Sequence, residues 1–107
     1  MKEASNVSAC VVLYRSGESV LDTVRCLEES TEKPEIFVVD NYCLDGVGAK
    51  LAQTWTDVQL LPQKENLGFG RGNNVVLPLL HSRYHLLCNP DVTFPPELIG
   101  RMTAWMD

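Results

Sequence analysis

An open α/β fold with a mostly parallel sheet flanked by helices follows from three features of this 107-residue sequence. Short apolar runs alternate with helix-period stretches along the whole chain, an order that calls for parallel strands joined by right-handed crossovers. The runs are nearly continuous in apolar residues, as expected of strands covered on both faces. Two of them, Ile36-Phe37-Val38-Val39 and His85-Leu86-Leu87-Cys88, lead straight into carboxylates, at Asp40 and at Asn89-Pro90-Asp91. Ligands of open α/β sheets bind beyond the carboxyl ends of the strands, so the two aspartates point to one shared cleft. Taken alone, each is equally well an ordinary cap or turn residue.

The elements follow in order. Val7 to Tyr14 is the first strand. Arg15-Ser16-Gly17-Glu18 breaks the pattern, and Ser19 to Asp22 has the S-x-x-D form of a helix cap. Val20, Val24 and Leu27, spaced i, i+4 and i+7, predict an amphipathic helix ending near Ser30. Pro34 punctuates, and Ile36 to Val39 is the second strand. Asp45-Gly46 opens a weaker helix through Val47, Leu51 and Trp55, and Val58 to Leu61 is a short strand stopped by Pro62. Gln63 to Gly72 reads as a polar, glycine-rich loop, with a helix from Asn73 through Val75, Val76, Leu79 and Leu80. Pro78 fits that helix only in its first turn or at a kink. Tyr84 to Cys88 is the fourth strand, and Pro95-Pro96-Glu97 opens a last helix running to about Trp105.

Composition narrows the function classes. With 45% hydrophobic and 21% charged residues the chain is an ordinary globular sequence, long enough for one domain with a core. A net charge of −5 argues against a nucleic-acid partner, which would ask for a basic stripe. It leaves a nucleotide open, because backbone N–H groups or a metal can hold a diphosphate. The cysteines, Cys10, Cys26, Cys43 and Cys88, form no C-x-x-C pair, so a reducing cytoplasm is the simpler compartment than a disulfide framework. The sequence predicts neither a signal peptide nor a transmembrane segment; a peripheral membrane association through a partner stays open.

The segment Glu65-Asn66-Leu67-Gly68-Phe69-Gly70-Arg71-Gly72-Asn73-Asn74 has the makings of an anion site. Its glycines let the backbone approach a ligand, Arg71 is a planar cation suited to phosphate, and Asn73 or Asn74 is placed to cap the helix that follows. A plain turn before a helix is the bland alternative. The G-x-G-x-x-G spacing, the Walker A pattern and the nucleophile elbow are all absent. His81 and His85 straddle a helix–strand boundary and read as surface or packing residues.

Four segments appear together and in order: Val11-Val12-Leu13-Tyr14; Val38-Val39-Asp40-Asn41 with Asp45-Gly46; Asn66 to Asn74; and Asn89-Pro90-Asp91. As a set they resemble the N-terminal half of a family 2 glycosyltransferase with the Rossmann-like GT-A fold. The similarity is greatest to rhamnosyltransferase-like members that carry N-P-D where others carry D-x-D. The resemblance implies a nucleotide-diphosphate sugar as ligand, dTDP-rhamnose first and UDP-sugars next. Tyr14 and Arg15 would lie against base and ribose, and Asp40 would hydrogen-bond the base. Gly70, Arg71, Asn73 and Asn74 would line the sugar-diphosphate pocket with help from Asn89. Asp91 would ligate Mg2+ or Mn2+ bridging the diphosphate.

That metal would neutralise the departing nucleoside diphosphate during inverting transfer to a polysaccharide or lipid-linked acceptor. The general base is expected beyond Asp107, so the chain reads as the donor-binding half of a longer domain. Arg15 stands where relatives often have Asn, and Tyr42-Cys43-Leu44 replaces the usual small polar residues. A non-catalytic nucleotide-binding or assembly module is the competing expectation. An exposed apolar surface where the missing half should dock predicts self-association, a homo-oligomer of this chain by itself, and a stable oligomer covering that surface would favour the assembly module. A receiver-like domain and a sugar nucleotidyltransferase fit less well, since neither an acidic pair nor a glycine-rich basic loop follows the first strand.

Overall fold

The computed structural model describes residues 6–14, 17–42 and 46–107. Its elements are β1 (Val7–Leu13), α1 (Ser19–Glu28), β2 (Glu35–Asp40), α2 (Val47–Thr54), β3 (Gln59–Pro62), α3 (Gly68–Asn74), a 3-10 turn (Leu77–Leu79), β4 (Tyr84–Cys88) and α4 (Leu98–Met106). The strands form one parallel sheet in the order β3-β2-β1-β4. Val11 pairs with Val38 on one side and with Cys88 on the other. β1 and β2 therefore end level, Leu13 opposite Asp40, and β4 ends two residues earlier at the same edge of the sheet, which brings Asp40 and the Asn89-Pro90-Asp91 turn to one side. No helix among the described residues is long and apolar enough to cross a membrane.

β1 is buried along its whole length, which is why its sequence lacks alternation. The period-2 geometry of the strands divides the core in two. On one face Ala9, Val11, Leu13, Ile36 and Val38 pack against Val20, Val24 and Leu27 of α1, Val47 and Leu51 of α2, and Ile99 of α4. On the other face Cys10, Val12, Phe37 and Val39 meet Val76, with Leu61, Val75 and Leu80 at the margin. A predominantly parallel α/β architecture, expected from the alternation, is what the chain adopts.

Two local expectations are corrected. Ser19 does not cap α1: Glu18 holds the cap position without a side-chain cap hydrogen bond, and Ser19 is already helical. The stretch from Gln63 to Gly72 is not loop throughout, because Gly68 to Asn74 form α3 and the chain then tightens into the 3-10 turn with Pro78 near its start. Asn73 and Asn74 thus end a helix instead of starting one. Tertiary packing overrides low helix propensity here: Gly72 lets α3 lie close against Val12 of β1, and that contact outweighs its backbone entropy.

Candidate functional site

An open cleft of about 280 Å3 lies beyond the carboxyl ends of the strands, lined by Val12, Tyr14, Asn41, Asn66, Gly68, Phe69 and Pro90. It draws one contribution from each of the motif segments around β1, β2, α3 and β4. Tyr14 is the first residue past β1 and is exposed. Phe69 presents its ring from the first turn of α3, half in solvent. Two aromatic faces on an open, polar-edged cleft suit a planar ligand group.

Asn41 organises this end of the sheet. Its backbone N–H donates to the Leu13 carbonyl (2.9 Å), extending the β1–β2 pairing by one residue. Its buried side chain bridges to the start of α3, Nδ2 donating to the Gly68 carbonyl and Oδ1 accepting from the Leu67 N–H, both at 3.1 Å. The Leu67 N–H precedes the helix, where backbone donors have no intrahelical partner. Asn66 adds a second brace, its Oδ1 accepting from the Gly68 N–H (2.9 Å). Tyr42, next in the chain, is held at φ 62, in the left-handed region unfavourable for a side-chain-bearing residue.

The residues singled out in the sequence take different places around the cleft. Tyr14 lines the cleft, and Pro90 brings its neighbours Asn89 and Asp91 to the mouth of β4, both exposed. Gly70, Arg71 and Asn74 are exposed on α3, beside the cleft but not among its lining residues. Asn73 is buried in the last turn of α3. Its Nδ2 donates to the Phe69 carbonyl (3.0 Å), and its Oδ1 has no hydrogen-bond partner among the described residues. Arg15 lies outside the described residues, as do Ser16 and the Cys43-Leu44-Asp45 stretch.

Asp40, the last residue of β2, turns toward α2. Its Oδ2 occupies the place a Cβ on Gly48 would need, 2.5 Å away. The carboxylate therefore sits at the first turn of α2, where the helix dipole favours negative charge. Among the described residues no group of three or more His, Cys, Asp and Glu side chains converges as a metal cage. A single exposed carboxylate such as Asp91 fits a cation that arrives with the diphosphate, since Mg2+ commonly takes one or two carboxylates and completes its shell with phosphate and water.

In the sequence Asn41, Asn66 and Phe69 stand only as letters of a motif. The signal for Asn41 is its position immediately after the Asp40 that ends β2, where a side chain with both donor and acceptor can bridge to a neighbouring loop. His85 proves to be a packing residue, Nδ1 lying 2.6 Å from Ser8 Oγ, while His81 is exposed at the preceding turn.

Residues 8–107 match the family described as glycosyl transferase family 2. A comparison with curated protein sequences gives no match. Among solved structures, the mannosyltransferase PcManGT from Pyrobaculum calidifontis, in complex with GDP-Man and Mn2+, superposes with a TM-score of 0.85 at 19% identity, covering 97% of this chain and 33% of that one. S. aureus TarS 1-349 superposes with a TM-score of 0.82 at 19% identity, covering 94% of this chain and 32% of that one. The same TarS fragment in complex with UDP gives a TM-score of 0.83 over the same shares. Identities this low establish the common fold, and the chain spans about a third of the length of these structures. With a family match running from Ser8 to the last residue, this chain belongs to glycosyl transferase family 2.

Proposed function

We propose that this chain is the donor-binding part of a glycosyltransferase and holds a nucleoside-diphosphate sugar in the cleft beyond β1, β2 and β4. The observation that carries this is the cleft itself, open to solvent and framed by Tyr14, Asn41, Phe69 and Pro90 at the expected end of a parallel sheet. Tyr14, with Arg15 following it, is assigned to the base and ribose, and Asp40 to a base N–H. The exposed face of α3 with Gly70, Arg71 and Asn74, together with Asn73 and Asn89, is assigned to the sugar diphosphate.

Asp91 is the residue that would hold Mg2+ or Mn2+. The cation supplies Lewis-acid neutralisation of the leaving diphosphate when bound. Support for the ligand class comes from the similar proteins, of which one was solved with GDP-Man and Mn2+ and another with UDP. Within that class dTDP-rhamnose is the first candidate, on the Asn89-Pro90-Asp91 triplet, with UDP-sugars second. Inverting transfer to a glycan or lipid-linked acceptor needs a general base and an acceptor site, and both are assigned to a part of the enzyme beyond these residues.

The test is thermal unfolding with dTDP, UDP and GDP, each with and without Mn2+, on the wild type and on Asp91→Ala. A ligand at 100 times its Kd adds about 2.7 kcal/mol of apparent stability. A Mn2+-dependent shift with one nucleotide, lost in Asp91→Ala, is the expected result. No shift with any nucleotide would leave a family 2 fold that serves as an assembly module.

A further inference from the structure

Thr23 is a polar residue in an apolar place. The buried residues of α1 are Val20, Thr23, Val24 and Leu27, the i, i+3, i+4, i+7 stripe of a core-facing helix. Thr23 is wholly enclosed there. A threonine inside a helix ordinarily bonds its hydroxyl to a carbonyl of the preceding turn. A hydroxyl has a single proton to donate, and here it goes outward. Thr23 Oγ1 donates to the Val92 carbonyl at 2.7 Å, across 69 positions of sequence. Val92 directly follows the Asn89-Pro90-Asp91 turn. The segment beyond it is tied to the same side of the molecule. Cys26 Sγ accepts from the Phe94 N–H (3.5 Å), and the Thr31 N–H donates to the Pro96 carbonyl (3.0 Å). Val92 and Phe94 pack, partly buried, on the core cluster that holds Val20, Val24 and Leu27.

We propose that Thr23 is a positioning residue for Asp91, acting through the Val92 carbonyl. This role rests on the assignment of Asp91 to the cation. The turn is clamped at both ends. On the entry side Cys88 pairs with Val11 in the sheet. On the exit side Thr23 holds Val92. Between the clamps, the Pro90 ring fixes its own φ and confines Asn89 to extended backbone, so the soft torsions that remain belong mostly to Asp91. Pro90 lines the cleft, and Asp91 beside it is exposed. Pinning Val92 therefore sets the direction in which the Asp91 carboxylate leaves the turn. A cation shared with a diphosphate needs that carboxylate in one place, and a turn released at Val92 would offer it in many.

Substitutions at Thr23 separate positioning from packing. Thr23→Val keeps the shape of the side chain and removes the hydroxyl. Thr23→Ser keeps the hydroxyl and removes a core methyl, and Thr23→Ala removes both. A residue that only packs would change stability with the methyl lost and leave ligand affinity alone. A residue that positions Asp91 would change cation affinity with the hydroxyl lost, whatever happens to stability.

Mn2+ is titrated into the wild type and the three variants with dTDP, UDP or GDP present, free Mn2+ being read from its EPR signal. Urea unfolding without ligand gives the stability of each. Thr23→Val should weaken Mn2+ binding about 10-fold or more, the usual size of effect for a group that orients a metal ligand. Its nucleotide binding without Mn2+ should match the wild type. Thr23→Ser should keep most of the wild-type Mn2+ affinity although it is less stable. Thr23→Ala, which lacks the same methyl, should fall with Thr23→Val, and this Ser–Ala comparison decides the matter if Thr23→Val does not fold. Equal Mn2+ affinity in the variants with and without the hydroxyl, or affinity that simply follows the urea midpoint, overturns the positioning role and leaves the donor site standing. A wild type that takes up Mn2+ with none of the three nucleotides overturns both.

Discussion

Gly72 and Val12 touch so closely that a Cβ built on Gly72 would lie 2.9 Å from Val12 Cγ1. The same atom would come within 3.2 Å of Asn41 Nδ2. This approach holds α3 on the sheet face next to the cleft, and it explains a glycine in a helix where propensity alone disfavours it. Gly72→Ala should therefore destabilise by about 1–3 kcal/mol, since Val12 is a stiff β-branched residue within the core and has little room to retreat. Gly70 has nothing within 4 Å of a built Cβ. Gly70→Ala should stabilise by up to about 1 kcal/mol through helix propensity. Urea midpoints of the two variants check the pair, and equal signs would refute the close-approach account of Gly72.

Asn41 should be the costliest polar residue near the cleft to remove. Asn41→Ala strands the Leu67 N–H and the Gly68 carbonyl together, a loss of about 2–4 kcal/mol. Asn41→Asp keeps the acceptor for Leu67 but turns a carboxylate oxygen toward the Gly68 carbonyl. Its deficit relative to wild type should shrink as the pH falls through the carboxylate range, because the protonated acid regains a donor. A deficit independent of pH would show that the Nδ2 bond to Gly68 contributes little.

His85 gives the fold a pH dependence of predictable sign. Ser82 Oγ donates to the Tyr84 carbonyl (2.8 Å), so the 2.7 Å contact between Ser82 and Ser8 uses the Ser8 proton. Ser8 Oγ then accepts from His85 Nδ1–H, and Nε2 is left as a buried acceptor with no partner among the described residues. Burial lowers the pKa of His85 below the ordinary 6.5. For a base so shifted, the unfolded chain takes up the proton first. The stability contribution is complete above pH 6.5 and declines as the pH falls from there toward the folded-state value. His85→Asn should flatten this part of the stability–pH curve; an unchanged slope would assign it to another group.

Two thiols should resist alkylation in the native state. Burial, reinforced by the nearby Cys88, pushes Cys10 up to about 12, and burial with Cys26 beside it pushes Cys88 up to about 11. The thiolate is the reactive species. Near pH 8, iodoacetamide should spare Cys10 and Cys88 until denaturant is added, and mass spectrometry of labelled peptides reads the result. Fast native labelling of either would place it in an open segment.

Much of the architecture was legible because it depends on patterns local to each segment. Tyr84 to Cys88 is the observed β4 to the residue, and the apolar spacing of Val20, Val24 and Leu27 marks the buried face of α1. The α3 region is not legible in the sequence, for a physical reason. A run of glycines carries no helix-period signal of its own, and its conformation is imposed by Val12 and Asn41, residues distant in sequence. The Ser19 cap is displaced similarly: Glu18 holds the cap position and Ser19 already lies inside the helix.

The sequence by itself determined the parallel α/β class, the order of its strands along the chain and the placement of Asp40 and Asp91 at strand ends. Alternation, apolar runs and punctuating prolines are one-dimensional signals, and they suffice for those. Tertiary structure decided the rest. It put β1 between β2 and β4, turned Asp40 toward α2, and made Asn41 the bridge that shapes the cleft. It also set α4 beside β4 with Ile99 and Thr103 buried. Those outcomes depend on which distant surfaces meet, and a pairwise distance between segments is not written in either segment alone.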